Sequence, residues 1–356
     1  MNFFDFFPPP SYLKMPAIGL DISDRSLKYV ELRRFGKNIR LAAFGRKNIP
    51  PGIIEAGQIK KQNEFAEFLK YFRKEIKNNR LIAALPEEKT FIGTIQLPLM
   101  KEEEIRGALE LQLEEHIPLQ IKEAIFDYEV ALEAEPQSRL DISFAAVDGG
   151  LAKSYRDVLI SAGFIPFVFE TEPHALTRAL IRPDEKRAQM VIDFGKTRTS
   201  FFISDGVRIK ISSTINVAGE TLDLAISKVF SVSPEEGCRL KNEKGLLKTK
   251  ENEKFFSAIL PVVSAIKGEA GRHLSYWKSH ATGGEGGNKE IENIILCGGD
   301  SNLKGLSEYL AAELGAVVQL GNPWINVASF EDYVPEIELR ESQIYATAIG
   351  LALRGL

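Results

Sequence analysis

Two short stretches of the chain set an aspartate and a tight turn at the end of an apolar run. In "VIDFGKTRTSFFI", Asp193 closes the run, and Gly195, Lys196 and the hydroxyls of Thr197 and Thr199 follow with Arg198 between them. In "AIGLDIS" ahead of "SLKYVELRR", Asp21 and Ser23 hold the corresponding places. Superimposing Asp21 on Asp193 lays Gly19-Leu20 over Val191-Ile192, and both stretches lead through polar residues into a second apolar strand. The chain therefore reads as internally duplicated, with a β-hairpin opening each half. A third stretch, "ILCGGDSNLKGL", turns from a strand through Gly298 and Gly299 into a helix start at Asp300 and Ser301. Backbone N–H groups exposed at such turns bind phosphate oxygens without immobilising flexible side chains. Asp21 and Asp193, each ending a buried strand, would hold Mg²⁺ through water, because magnesium gives up its hydration shell reluctantly. Together the three turns describe a nucleotide cradle in which Gly298 and Gly299 let an adenosine lie against the backbone. Taken singly, each aspartate also reads as a turn residue and the glycine pair as a capped strand-to-helix turn.

The elements that must position these turns follow from hydrophobic period. The chain has 356 residues, 44% hydrophobic and 26% charged, which is enough for more than one core. Phe65, Phe68, Leu69, Phe72 and Ile76 recur at helical spacing, and "RLIAALP" is a short buried strand ended by Pro86. This is the strand-helix-strand alternation of an α/β fold with a mostly parallel sheet. From about Glu88 to Gly163 the style changes to strand-helix-strand-strand-helix, which reads as an inserted subdomain. Beyond the second hairpin, "RIKISSTINVAGETLDLAISKVF" gives a strand, a turn at Gly219 and a helix. "SPEEGCRLKNEKGL" gives a helix capped by Ser233 with Pro234 at its first position. A long helix runs from about Phe255 to Ser279, "ATGGEGGNK" is a loop, and "ESQIYATAIGLALRGL" is an apolar closing helix.

Other classes are disfavoured. A net charge of -4 supplies no general attraction for nucleic acid. Cys238 and Cys297 lack metal-ligand spacing and suit a reducing compartment. No apolar run spans a bilayer and no basic signal sequence opens the chain, so a cytoplasmic location is expected. The phenylalanine- and proline-rich residues 1–15 read as a flexible tail or a weak membrane or partner contact.

The order hairpin, hairpin, glycine turn resembles that of the actin-like ATPases. "TEPHALTRAL" resembles the connecting segment "EPTAAAL" of the heat-shock chaperone ATPases, which places Glu172 at the cleft, and "YATAIGLAL" resembles the second connecting helix. With "GLDIS", "EEHIPLQIKEAIFDYEV", "NPW" at Asn322 to Trp324 and the ending "AIGLALRGL", the chain from Pro16 to Leu356 resembles the PilM family of cytoplasmic type IV pilus assembly proteins. The resemblance implies an actin-like fold of two duplicated halves with a subdomain inserted as in the cell-division protein FtsA. On that frame residues 1–15 are the tail. Residues 16–87, 164–187 and 340–356 form the first half, 88–163 the insert and 188–339 the second half. It also implies ATP and Mg²⁺ as ligands and a PilN-like inner-membrane protein as partner. The short cytoplasmic tail of that partner would lie between the first half and the insert, making this protein peripheral to the inner membrane. Other platform proteins are implied as partners, and self-association stays open.

Carried over residue by residue, Asp21 and Ser23 match the first phosphate segment, and Asp193, Gly195 and Thr197 to Thr199 the second. Gly219 and Glu220 match a glycine turn near the nucleotide, and Gly298, Gly299 and Asp300 the adenosine segment. Glu236 and Arg239 stand where the family presents an acid and a base to the adenosine; an exposed ion pair one helical turn apart is the other reading. Ser23 departs from the second glycine common in actin-like hairpins, and Lys196 and Arg198 add positive charge beside the phosphates. Glu172 would orient a water for attack. His116, His174, His273 and His280 are scattered, so hydrolysis is expected to be slow or absent. A small-molecule kinase on the same fold is the alternative among enzymes, needing a proton-accepting carboxylate opposite the γ-phosphate. An FtsA-like membrane-associated filament protein is the alternative among structural proteins, although the closing helix lacks a basic amphipathic tail.

Overall fold

The run Ile18, Leu20 and Ile22 is fully buried because its strand, β1 (Ile18–Ile22), is the centre of a five-stranded sheet and faces core on both sides. The computed structural model describes residues 16–36, 38–130, 139–280 and 290–356. The expected tail at 1–15 and the loop at 281–289 lie outside the described residues. From β1 the chain continues through β2 (Ser26–Phe35), β3 (Asn38–Asn48), a small hairpin of β4 (Ile54–Glu55) and β5 (Gln58–Ile59), α1 (Gln62–Glu75) and β6 (Arg80–Leu85). The insert contributes β7 (Thr90–Pro98), α2 (Glu102–His116), β8 (Ala124–Val130) and β9 (Arg139–Asp148). Then α3 (Gly149–Ser161), β10 (Ile165–Thr171) and α4 (Glu172–Leu180) complete the first half. The second half holds β11 (Ala188–Phe194), β12 (Thr199–Asp205), β13 (Arg208–Ile215), α5 (Gly219–Phe230), α6 (Pro234–Lys244), α7 (Glu253–His280), β14 (Asn293–Cys297), α8 (Leu306–Leu314) and β15 (Val317–Leu320). The chain closes with α9 (Leu339–Ser342) and α10 (Ala346–Arg354).

The two large sheets have one topology. Strand order is β3-β2-β1-β6-β10 in the first and β13-β12-β11-β14-β15 in the second. In each, the strand bearing the aspartate pairs antiparallel with the next, Asp21 opposite Lys28 and Asp193 opposite Ser200, and parallel with a strand that arrives by a crossover. The duplication is therefore a property of the fold. Strands β3 and β15 have no counterpart in the sequence reading, because their largely exposed residues carry only short apolar runs and pairing with β2 and β14 recruits them.

Helices α4 and α10 lie between the sheets in one apolar cluster. Leu176, Ala179, Ala348 and Ile349 meet Val30 and Leu32 of the first sheet and Val191, Phe202 and Ile295 of the second. The crossing is close enough that a Cβ on Gly350 would sit 1.8 Å from the Ala175 carbonyl oxygen, and one on Gly19 would sit 2.0 Å from that of Ala348. The insert has a core of its own, in which Ile105, Leu109 and Leu113 of α2 cover Ile95, Ile142 and Phe144 of the sheet β7-β9-β8. Helix α3, placed in the insert at 88–163, instead joins the first half: Ala152, Tyr155, Val158 and Leu159 pack with Phe65, Leu69 and Phe72 of α1. The apolar face of α3 has the helical period of any core helix, and only the docking partner decides which core it enters.

Candidate functional site

The turns that leave β1, β11 and β14 converge on one cleft of about 540 Å³ between the halves. It is lined by Asp21, Ser23, Glu172, Asp193, Gly195, Lys196, Thr197, Arg198, Glu220, Gly298, Gly299 and Asp300, so most of the expected site residues are brought together. Arg25, Lys28 and Arg46 line the first-half wall as well.

In the first hairpin the Ser23 amide donates to the Ser26 carbonyl at 2.9 Å and its hydroxyl donates to the same oxygen at 3.0 Å. The serine that stands in place of a glycine thus closes its own turn. Lys28, opposite Asp21 in the ladder, donates Nζ to Asp21 Oδ2 at 2.6 Å. In the second hairpin the Gly195 amide donates to the Arg198 carbonyl at 3.0 Å. The Gly195 carbonyl accepts from the Gly219 amide at 3.1 Å, and the Lys196 carbonyl from Glu220 at 2.8 Å. The first amides of α5 therefore hold the hairpin in place, so Gly219 and Glu220 present to the cleft only the Glu220 side chain, 3.4 Å from Arg25 across the mouth. Thr199 is fully buried and donates to the Val217 carbonyl at 2.6 Å, so its hydroxyl supports the fold and does not reach the cleft.

Gly298 has φ +87°, and a Cβ there would lie 2.3 Å from Asp193 Oδ1; a Cβ on Gly219 would strike the Asp300 carboxylate at 1.9 Å. Both glycines exist to let a carboxylate approach the backbone. Burial pushes the Asp193 carboxyl up, opposed chiefly by Arg198, while Asp21 has an ammonium partner. Among the described residues no group of three or more histidine, cysteine or carboxylate side chains is arranged to hold a metal ion. The expected pair Asp21 and Asp193 is thus not a protein cage. A cation arriving with phosphates and water fits Asp193, which the Lys28 ammonium influences only through its field, whereas Asp21 is in direct contact with that ammonium.

Two charge clusters escaped the sequence reading in part. Arg198 is buried with Nη2 donating to Glu172 Oε1 at 2.5 Å and Nε 3.1 Å from Glu88 Oε2. Glu172 is thereby an ion-paired carboxylate, pushed up by burial with Arg198 pulling the other way. The second cluster runs from Lys196 through Asp223 and Lys241 to Asp300. Lys196 bonds Asp223 Oδ2, Asp223 Oδ1 lies 2.8 Å from Lys241 Nζ, and Lys241 in turn bonds Asp300 and the Gly219 carbonyl. Lys241 is 2% exposed. The signal for it was the composition of α6, "PEEGCRLKNEK", a helix without an apolar stripe whose buried positions are Gly237 and Lys241, one turn apart.

Glu236 and Arg239 do not line the cleft; they pair with each other on the exposed face at 2.7 Å, and Cys238, Lys241 and Asn242 of the same helix line it instead. Helical rotation is the reason: a 100° step separates neighbouring positions, and the buried contact of Gly237 with Asp223 sets which face turns inward.

Comparison with known proteins identifies the family and the fold. A solved PilM–PilN type IV pilus biogenesis complex has a chain 25% identical to this one with a TM-score of 0.80, covering 96% of this chain and 99% of that one. The ethanolamine utilization protein EutJ of Carboxydothermus hydrogenoformans is 14% identical, with a TM-score of 0.56 over 95% of this chain and 89% of its own. MreB5 of Spiroplasma citri, solved bound to ADP, is 14% identical with a TM-score of 0.56 over 95% of each chain. The last two share the fold, which is actin-like. The family model described as type IV pilus assembly protein PilM matches residues 19–356, from the first aspartate hairpin to the closing helix. Twin hairpins, glycine turn, insert and connecting helices all lie within that match, and the chain belongs to the PilM family of type IV pilus assembly proteins.

Proposed function

We propose that the protein is an ATP-binding assembly factor on the cytoplasmic side of the type IV pilus inner-membrane platform, and that it holds the cytoplasmic tail of a PilN-like membrane protein. No described helix is long and apolar enough to cross a membrane, so attachment would come through that partner. The observation that carries the reading is a second groove, of about 600 Å³, on the far side of α4 from the cleft's lining residues. Strands β8 and β10 both line it, and each is the edge strand of its own sheet. An extended tail could hydrogen-bond along such an edge while its apolar side chains sit against Ile125, Ala145 and Phe169. The floor is held rigid by Glu170, which accepts from Arg178 at 2.6 and 2.7 Å and from Arg354 at 2.5 Å.

In the nucleotide cleft, Mg²⁺ when bound would neutralise phosphate charge. Asp193 would orient its water shell, Lys28 and the Gly195 turn would face the phosphates, and Gly298 and Gly299 would receive the adenosine. Glu172 would position a water, with its Oε1 held by Arg198, and this restraint supports slow turnover. The groove is tested by titrating a synthetic copy of the PilN-like tail. Ile125 is an exposed groove residue, and Ile125→Glu is expected to weaken the peptide by roughly tenfold or more while nucleotide affinity is kept. Unchanged peptide affinity in that variant would refute the groove.

A further inference from the structure

Arg198 stands where three parts of the molecule meet. It belongs to the second-half hairpin and lines the cleft beside Gly195 and Thr197. Its guanidinium nevertheless faces the first half. Besides Glu172, it binds Glu88, with Nη1 donating to Oε1 at 3.2 Å and Nε 3.1 Å from Oε2. Glu88 lies in the short 3-10 turn Glu87–Lys89, through which the chain leaves β6 and enters β7 of the insert. Leu85 and Thr90, on either side of that turn, line the second groove, and the Thr90 hydroxyl donates to the Glu87 carbonyl at 3.1 Å. The pair Arg198–Glu88 is thus an ionic tie between the phosphate hairpin and the entry to the insert. The side chains are only 11% and 15% exposed, so solvent ions screen the tie little.

The first hairpin reaches the same point. Asp24 accepts from the amides of Ala56 and Gly57 at 3.0 and 3.1 Å, and a Cβ on Gly57 would lie 3.0 Å from Glu88 Oε1. The Gly57 carbonyl accepts from Tyr155 of α3 at 2.9 Å. Glu88 is therefore seated by both hairpins, yet it lines neither the cleft nor the groove.

We propose that Arg198 is shared between Glu88 and the terminal phosphate of a bound nucleotide, so that nucleotide in the cleft and peptide in the groove weaken each other's binding. An arginine keeps its charge at all working pH values and forks between two oxygen partners, so it exchanges one anion for another without titrating. A phosphate at the Gly195 turn competes for the face of the guanidinium that now holds Glu88, while Glu172 keeps Nη2. Release of Glu88 frees the turn and with it one wall of the groove. A peptide spanning the insert and the first half must then order that wall and binds more weakly. By linkage, the peptide lowers nucleotide affinity by the same factor.

The inference rests on the nucleotide-and-peptide reading above, and the experiment separates the two. The full-length protein is titrated with a fluorescent copy of the PilN-like tail, with and without a saturating non-hydrolysable Mg·ATP analogue. The peptide Kd is expected to rise by about fivefold or more, within the usual range of coupling between sites. The reciprocal titration should give the same factor, which tests the proposal without any variant. Glu88→Gln should bind both ligands but bring the factor close to one. A wild-type factor of one, a factor of opposite sense, or a Glu88→Gln factor equal to wild type overturns the coupling while leaving the functional reading intact. Failure of the wild type to bind either ligand alone overturns that reading, and the inference with it.

Discussion

Replacing Lys241 with methionine removes a buried ammonium and leaves its two carboxylates behind. Lys241 is 2% exposed and stands between Asp223 and Asp300, with the Gly219 carbonyl as a further acceptor. Asp223 keeps Lys196, so Asp300 bears most of the loss. Breaking a buried pair by removing one partner costs about 3–5 kcal/mol. Taking the lower figure, because Asp300 borders the cleft and water can reach it, a unit the size of the second half, roughly 150 residues, should lose about 6–12 °C in Tm. The effect has a pH signature. Burial already raises the Asp300 carboxyl and Lys241 is the main group lowering it, so the substitution raises it further. A carboxyl raised in the folded state destabilises that state above its unfolded pKa and ceases to do so once it is protonated. The Tm gap between Lys241→Met and wild type should therefore be largest near pH 8 and shrink toward pH 5. Adding Asp300→Asn should recover part of the loss, since the orphaned charge is gone. Thermal unfolding followed by circular dichroism at both pH values measures this. A gap that is equal at the two pH values, or a double variant no more stable than the single one, would refute the claim that Asp300 is the group left uncompensated.

Three other outcomes are expected. Gly350→Val should abolish or strongly destabilise the folded protein, because even a Cβ there would lie 1.8 Å from the Ala175 carbonyl oxygen; soluble yield and Tm equal to wild type would deny the close helix crossing. Asp193→Asn should weaken Mg·ATP by roughly tenfold or more and metal-free ATP little, as read by calorimetry with and without Mg²⁺, since the charge acts through the ion; equal losses for both would remove the metal role. Glu87 is buried beside Arg198, Asp193 and Ser200, and burial pushes its carboxyl up to about 8. The folded state then holds a proton that the unfolded chain releases near its ordinary pKa, so stability should fall by roughly 1.4 kcal/mol per pH unit between about pH 5 and 8. Glu87→Gln should flatten that part of the stability curve, and an unchanged slope would assign it elsewhere.

Local sequence carried much of the site. An aspartate ending an apolar run, a turn residue after it and a second strand recur at Asp21 and Asp193, and the Gly298-Gly299 turn supplies the third wall; these features depend on a few neighbouring residues and on steric rules for turns. The same locality made the fold class legible, because sheet topology repeated where the motif repeated. Edge strands β3 and β15 were not legible, since an exposed strand owes its existence to its neighbour's unpaired amides more than to its own pattern. Helix period showed that α3 has an apolar face but not which core receives it, and it placed Glu236 and Arg239 on one face of α6 without saying that Gly237 and Lys241 turn inward. The partners of Arg198 and Lys241 belong to the same class. Glu88 and Arg198 are 110 residues apart and Lys241 and Asp300 are 59 apart, so the first pairing is set by how the second half meets the entry to the insert and the other by how α6 packs against the turn after β14. Charge attraction in water is too weak and too long-ranged in sequence to leave a local trace, and it becomes specific only after packing has excluded the solvent that screens it.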